Sequence, residues 1–536
     1  MICWRAVLVV VPICCKVPEI GVETNMSNKP NILLFMVDQL TSFVLSAYGG
    51  STCKTPNLDQ LAARGVVFEN AYCPYPLCAP SRAAMMTGRL PSRIGAYDNG
   101  ADFAASVPTF AHCLRAAGYY TCISGKMHFV GPDQFHGFEE RLTPEIYPAD
   151  MSWTPEPGFP DADPTADDEP AFGVSTIGTV KDAGPLASSM QIEYDENVTS
   201  RAEQEIHRHF ASDDDRPLLL TVSLTQPHDP YMTTQAYWDL YSEDEIGPPL
   251  VPDIPLEDRD PHSRALYYHY SQHKEALSHQ DYLNARRGYF GMISHIDHLF
   301  GRVIRALETA NQLANTVVIF TSDHGDMIGE RGMWFKKTLF NPAIQVPLII
   351  AHPDFAPSRV AASASLIDLF PTLLDLAGID EDEFALPLDG KSLLPAMNGQ
   401  PIFAPVFCEH IDGGTATPRV CVIDQHKKLV YSRGYPALLF DLATDPLERT
   451  NLVGQNDPDE DRLKALAEET WPLDDLPAQV AQSQAARKLV DTALASGREE
   501  RWDFEARNPH MRGKFVRRGD GFPEVERPHY VKAQDC

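Results

Sequence analysis

The stretch TVVIFTSDHGD (316–326) carries the reading of the fold. Its first seven residues are apolar or β-branched and end in polar turn chemistry, so they predict a short buried strand. The strand exits into Asp323-His324-Gly325-Asp326, a run of titratable groups. The same arrangement recurs three times. NILLFMV (31–37) runs into Asp38-Gln39, YYTCIS (119–124) into Gly125-Lys126-Met127-His128, and LLLTVSL (218–224) into Gln226-Pro227-His228-Asp229. VPLII (346–350) reads as a further strand.

Helical patterns lie between these runs. They are PNLDQLAARG (56–65), PTFAHCLRAAG (108–118), a long one from about Leu283 to Leu313, and LIDLFPTLLDLAG (366–378), broken or started at Pro371. Strands alternating with helices predict an α/β fold, a large and mostly parallel sheet sandwiched by helices. After about Asn398 the texture changes. APVFCEHI (404–411), RVCVID (419–424), KLVYSR (428–433) and ALLFDL (437–442) are short alternating runs joined by turn residues, which predict a smaller antiparallel sheet. DPLERTNLV (445–453) reads as a turn and helix cap. The expected organisation is an N-terminal extension over 1–26, a catalytic domain over 27–398, a C-terminal α+β domain over 399–500 and a tail over 501–536 that is free to dock on a neighbour. Residues 155–185, rich in Pro, Asp and Gly, read as a long insertion loop.

Bulk composition narrows the function. The chain has 536 residues, 43% hydrophobic and 22% charged, as in soluble globular proteins. Its net charge of −29 excludes a nucleic-acid binder, which needs a basic face. An anionic substrate would need local positive charge, set against that global field. The 11 cysteines contain no CxxC pair, which points to a reduced, cytoplasmic protein rather than a disulfide scaffold or a zinc site. No run is long and apolar enough to span a bilayer. The start, MICWRAVLVVVPICCK (1–16), is interrupted by Pro12 and lacks a small-residue cleavage site, so it reads as an upstream start with the working protein beginning near Met26. The glycosylation match at Asn197–Ser200 reads as chance in such a chain.

In an open α/β sheet, ligands bind beyond the carboxyl ends of the strands. A single polar exit is ordinary turn chemistry, whereas four together form a constellation. Asp38, Gln39, Asp323 and His324 offer oxygen and nitrogen donors suited to a divalent cation, with Gln39 either a ligand or a partner to one. Lys126, His128 and His228 offer positive charge and acid–base capacity. The segment YPLCAPSRAAMMTGR (75–89) joins them. Pro80 suits the first position of a helix, SRAAMM continues it, and Cys78 then stands just before a helix N-terminus, where backbone N–H groups and the dipole favour an anion. Arg82, one turn in, is able to point at the same place.

Cys78-Ala79-Pro80-Ser81-Arg82 followed by Thr87-Gly88 resembles the signature of the type I sulfatases, which share the alkaline-phosphatase-like fold. Asp38-Gln39, Gly125–His128, Pro227–Asp229 and Asp323–Asp326 fall in the family's order, so the resemblance covers about residues 29–450. Within the family, GAYDNGADF (95–103), SGKMHFVGPDQFHGFEERL (124–142) and HGDMIGERGMW (324–334) look most like choline sulfatases.

The resemblance implies a formylglycine formed from Cys78 after synthesis by a maturation enzyme. It also implies one divalent ion, Ca²⁺ or Mn²⁺, held by Asp38, Gln39, Asp323, His324 and the modified Cys78. A hydroxyl of the hydrated aldehyde attacks sulfur, and a second hydroxyl later expels sulfate with help from His128. Arg82, Lys126 and Lys336 spread the charge of the transferring group, and His228 or Lys126 protonates the leaving alkoxide. Lys336 enters on the resemblance alone. Asn99 and Trp153 match positions expected to hold a choline headgroup, whose cation favours an aromatic face. Two departures bear on specificity. Val174-Ser175-Thr176 stands where the family has Tyr-His-Asn, and Gly413 stands at the second acidic position after Glu409, with Asp412 adjacent.

The expected activity is therefore hydrolysis of choline-O-sulfate or a similar small alkyl sulfate by a homo-oligomer. The alternatives are a phosphonate monoester or phosphodiester hydrolase on the same scaffold, an aryl or sugar sulfatase, or a non-catalytic binding protein that keeps the fold.

Overall fold

The structure is a computed structural model that describes residues 29–158, 175–380, 387–497 and 502. The strands of the first part of the chain are β1 (Asn31–Val37), β2 (Val66–Tyr72), β3 (Tyr120–Gly125), β4 (Glu140–Arg141), β5 (Gly184–Leu186), β6 (Leu218–Ser223), β7 (Met232–Thr234), β8 (Thr316–Ser322), β9 (Leu348–Ala351) and β10 (Ser358–Ser365). Eight of them form one sheet in the order β10-β2-β9-β8-β1-β6-β3-β4, while β5 and β7 pair apart from it. Within the eight, every neighbouring pair is parallel except those made by β9, which runs against both β8 and β2. The VPLII segment thus joins the sheet in the opposite sense to the four strands that end in polar exits.

Period-2 alternation divides each central strand between two cores. Leu33, Phe35 and Val37 of β1 face one, and Ile32, Leu34 and Met36 face the other. Both faces are covered, so these strands read as continuous apolar runs. On the first face Phe35 is held by Phe300, edge-on at 5.2 Å, and by Phe320, stacked at 6.0 Å. Burying each such side chain contributes about 2–3 kcal/mol. The long helix on this face spans His279–Thr309, starting earlier than its apolar periodicity suggests. The cause is a capping box in which Ser278 and Asp281 satisfy each other's backbone N–H groups. The second face is covered by the Phe110–Ala116 and Leu369–Leu376 helices.

Beyond Met397 the chain forms a four-stranded antiparallel sheet, β11 (Val406–His410), β12 (Arg419–Asp424), β13 (Lys427–Tyr431) and β14 (Leu438–Asp441). The Asp459–Thr470 helix seats Leu463 and Ala467 against its Val420, Val422, Leu429 and Leu439. Residues 445–453 are turns, and no helix begins until Asp459. The 155–185 region is not all loop, since it contains a helix at Ile177–Lys181 and β5, and its residues 159–174 lie outside the described residues. The 1–26 extension, and the 501–536 tail apart from Trp502, also lie outside the described residues. Asn197–Ser200 sits inside the Met190–Phe210 helix. The seven described cysteines are all free and buried. No described helix is long and apolar enough to cross a membrane.

Candidate active site

Register builds the site. Val37 of β1 pairs with Ser322 of β8, so Asp38 and Asp323 leave adjacent strand ends side by side. Gly125 at the end of β3 pairs with Ser223 of β6. The backbones approach so closely there that a Cβ on Gly125 would lie 1.9 Å from the Ser223 carbonyl oxygen, and its φ is +112°. Only glycine fits, and that approach sets the entry to Lys126-Met127-His128. Past β6, His228 lies between the cis bonds Gln226–Pro227 and Asp229–Pro230.

The helix bearing the cysteine spans Cys78–Thr87 and starts two residues earlier than expected, with Pro80 as its third residue. Cys78 is thus its first residue, not the one before it. The Cys78 Sγ lies 3.3 Å from His324 Nε2 and 3.8 Å from Asp38 Oδ1. His324 Nε2 lies 3.8 Å from both Asp38 Oδ1 and Asp323 Oδ1. One donor atom from each of Asp38, Cys78, Asp323 and His324 falls within 4.8 Å of the others, and all four residues are buried.

Arg82 is fully buried and reaches the cluster, but its donors are committed to positioning it. Nε donates to Asp323 Oδ2 at 2.8 Å, Nη2 to Asp38 Oδ2 at 3.2 Å, and Nη1 to the Lys126 carbonyl at 2.6 Å and Ser223 Oγ at 2.8 Å. It bridges the two carboxylates rather than pointing back at Cys78.

The Lys126 ammonium is ion-paired with Asp38 and lies 3.9 Å from the centre of the Tyr147 ring. The Lys336 ammonium contacts both Gln39 Oε1 and His228 Nε2. The amide oxygen of Gln39 is therefore turned to Lys336, while its nitrogen donates to Asp326 Oδ2 at 2.6 Å and Asp229 Oδ1 at 3.3 Å. The Gln39 backbone N–H also donates to Asp323 Oδ1 at 3.0 Å, which ties Gln39 to the four-residue cluster. His228 Nδ1 lies 2.8 Å from the Asp229 carbonyl oxygen. His128 is buried, and neither ring nitrogen has a partner in hydrogen-bond geometry.

Charge placement here opposes the net charge of the chain. Burial alone would push the Cys78 thiol up, but Lys126, Lys336 and His324 hold it well below the usual thiol range. Burial and then Lys126 lower His128, against Cys78 and Glu145, which raise it. Asp38 is held down by Lys126, His228 and Arg82 against the opposing effects of burial and Cys78.

Residues that the sequence did not assign a role hold these groups in place. Glu145 Oε2 accepts the backbone N–H groups of Met127 and His128 at 2.9 and 2.8 Å, and pairs with Arg141 at 3.0 Å. Asp195 accepts the N–H groups of Thr225 and Gln226 at 2.7 and 3.0 Å. Asp326 Oδ1 takes Ile328 N at 2.8 Å and Phe335 N at 3.0 Å, which orders the loop that presents Lys336. Each binds main chain, for which a lone carboxylate in a sequence carries no signal.

The two residues assigned to the substrate sit in touching loops, since a Cβ on Gly100 would lie 2.6 Å from the Trp153 carbonyl carbon. Asn99 Oδ1 accepts the Ala79 N–H at 3.0 Å, capping the start of the Cys78 helix. Trp153 is half-buried and meets His128 edge-on at 5.4 Å and Tyr147 at 5.3 Å. At the departures, Ser175 Oγ donates to Asp229 Oδ1 at 2.9 Å, and Val174 lies outside the described residues. Asp412 is buried, with one carboxylate oxygen 2.7 Å from Lys337 Nζ and the other without a partner. Glu409 turns away to accept from Ser92 and Trp471. His112 caps a helix from within, and His136 stacks on Phe103 at 4.0 Å.

Comparisons with known proteins agree with this geometry. Residues 30–379 match the family model described as Sulfatase, and residues 329–471 match one described as N-sulphoglucosamine sulphohydrolase, C-terminal. The chain is 42% identical over 487 residues to a choline-sulfatase of Rhizobium meliloti, covering 89% of this chain and 94% of that one. It is 29% identical to an arylsulfatase of Clostridium perfringens, covering 80% and 91%. Among solved structures it resembles a phosphonate monoester hydrolase of Agrobacterium radiobacter, with a TM-score of 0.66, 25% identity, and coverage of 84% of this chain and 96% of that one.

Proposed function

The chain belongs to the sulfatase family and is a sulfuric ester hydrolase; from that premise we propose that its substrate is choline-O-sulfate or a similar small alkyl sulfate with a cationic end. The observation that carries the chemistry is Cys78 at a helix start, 3.3 Å from His324 and beside two carboxylates. What supports the choline end is the 42% identity to a choline-sulfatase, together with Trp153 and Tyr147 packed next to His128. Asp412, with an unpartnered buried oxygen, is the candidate counter-charge in place of Gly413.

The donor set fits a hard or borderline divalent ion, Ca²⁺ or Mn²⁺, with Asp38, Asp323 and His324 as its holders and Gln39 adjacent. When bound, that ion would supply Lewis acidity, and a formylglycine derived from Cys78 would supply one hydroxyl as nucleophile and a second to free the sulfate. The remaining work belongs to this chain's side chains. Lys126 and Lys336 neutralise the sulfate oxygens, and Arg82 keeps both carboxylates in place. His228 or Lys126 protonates the leaving alkoxide. His128, buried beside Trp153 and Tyr147, would accept a proton from the second hydroxyl. A cytoplasmic homo-oligomer with a formylglycine-generating partner completes the proposal. So does a division into a catalytic domain over 27–398 and a C-terminal domain over 399–500.

A substrate panel tests it, run on enzyme whose Cys78 peptide carries the aldehyde by mass spectrometry. Choline-O-sulfate is expected to give the highest kcat/KM among choline, aryl and sugar sulfates and phosphodiesters. Trp153→Ala should raise its KM about tenfold, the worth of one partly desolvated cation–π contact. A dominant phosphodiester preference would move the enzyme to the alternative reading, a phosphodiester hydrolase on the same scaffold.

A further inference from the structure

The Leu476–Leu494 helix buries a single stripe, Leu476, Val480, Gln484 and Arg487, spaced to share one face. The stripe changes character along its length. Leu476 and Val480 join an apolar cluster with Tyr75, Leu77, Tyr97 and Ile411, and Tyr75 and Leu77 lead directly into Cys78. About 10 Å along the helix from Val480 the same face is polar yet still buried, with Arg487 only 4% exposed. Gln484 Oε1 accepts the Gly158 N–H at 3.0 Å. Arg487 forms a fork on Asp98, Nη1 to Oδ1 and Nη2 to Oδ2, each at 2.7 Å, and Nη1 also donates to Thr154 Oγ1 at 2.9 Å.

That one guanidinium therefore holds two loops. Asn99 follows Asp98 in the first, and Trp153 precedes Thr154 in the second. The loops touch at Gly100, where a Cβ would lie 2.2 Å from the Thr154 nitrogen, so neither can shift without the other. Asp98 is 1% exposed, and its Oδ1 also accepts the Gly100 N–H at 2.9 Å, closing the turn that aims Asn99 at Ala79. A helix that only needed to pack would continue its apolar stripe, because a buried ion pair gains little over well-packed hydrophobic side chains. What the fork adds is direction, since a bidentate pair fixes orientation as well as distance.

We infer that Arg487 is a positioning residue for substrate binding. Its fork on Asp98 and its bond to Thr154 set the Asn99 turn against Trp153 and so shape the headgroup end of the pocket. The inference rests on the reading of Asn99 and Trp153 as substrate contacts. It places a specificity determinant on a C-terminal helix, outside the segment that carries the sulfatase signature.

Two variants test it on enzyme with aldehyde at Cys78. Arg487→Lys keeps the charge and loses the fork. The pair Asp98→Asn with Arg487→Met removes both charges, so no unpaired ion is left buried. The readouts are kcat and KM for choline-O-sulfate and for ethyl sulfate, which has no cation, together with Tm. In both variants KM for choline-O-sulfate should rise about tenfold, while kcat and the ethyl sulfate KM change less than twofold. A lowered Tm with an unchanged choline-O-sulfate KM in both variants assigns Arg487 a purely structural role and overturns the inference. Trp153→Ala separates the two levels. If it leaves KM unchanged, the substrate reading itself fails. If it raises KM and neither variant at Arg487 does, the positioning role alone fails.

Discussion

Arg82 lies between Asp38 and Asp323 and bonds to both, at 3.2 and 2.8 Å, with all three side chains fully buried. The two carboxylates come from adjacent strands of one sheet, and the guanidinium comes from the cysteine-bearing helix. One side chain thus ties the Cys78 helix to the candidate metal ligands. Arg82→Lys cannot serve both carboxylates at once. It is expected to weaken divalent-metal affinity about 10–100-fold, as the loss of a ligand-orienting partner does, and to lower kcat with it. Metal titration by calorimetry reads the first effect. Unchanged affinity would assign Arg82 to the transferring group instead.

Chelation offers a second test. The candidate ligand cluster sits at the ends of packed strands that keep their own cores, so removing a bound ion should abolish hydrolysis while far-UV circular dichroism stays unchanged. Re-addition of Ca²⁺ or Mn²⁺ should restore activity, and Asp323→Ala should prevent the restoration.

His228 Nε2 contacts the Lys336 ammonium, and its Nδ1 is held against the Asp229 carbonyl. A proton donor to the leaving group matters most when that group is a poor one. His228→Ala should therefore lower kcat/KM for choline-O-sulfate about 10²–10³-fold, and for 4-nitrophenyl sulfate much less. Equal losses on both substrates would show that His228 binds sulfate rather than protonating the alkoxide.

Glu409 predicts a pH dependence of stability, separate from catalysis. Burial raises its carboxyl from the ordinary 4.5 to about 7, against the opposing donors Ser92 and Trp471. The folded protein therefore binds this proton more tightly than the unfolded chain does. The resulting stabilisation is fully present below about 4.5 and is lost as pH rises to about 7. It amounts to at most about 3 kcal/mol. The Tm difference between the protein and its Glu409→Gln variant should shift in the variant's favour across that window. A difference independent of pH would falsify the assignment.

Most of the framework was legible along the chain. The runs 31–37, 119–124, 218–224 and 316–322 read as strands because both of their faces are buried, which leaves unbroken apolar sequence. Their exits named Asp38, Lys126, His128, His228, Asp323 and His324, since functional groups at strand ends follow a fixed chain geometry. β2 and β10 escaped notice. β2 carries Glu69 and Asn70 in mid-strand, and β10 lies at the sheet edge with Ser358, Arg359 and Ala361 exposed, so neither shows a clean period. The direction of β9 was equally hidden, because period-2 alternation is the same read either way.

Local chemistry, then, determined the element types, the exits and the cysteine signature, because strand burial, helix starts and turn residues act over a few neighbours. Which atoms meet was decided by packing. Arg82 turns to two carboxylates, Gln39 to Lys336, Glu409 away to Trp471, and Arg487 to Asp98 389 residues away. In each case a buried polar group must find its partner in the folded interior, since leaving it unpaired costs more than any local preference supplies. Such partners come from distant segments and leave no pattern in the chain that bears them.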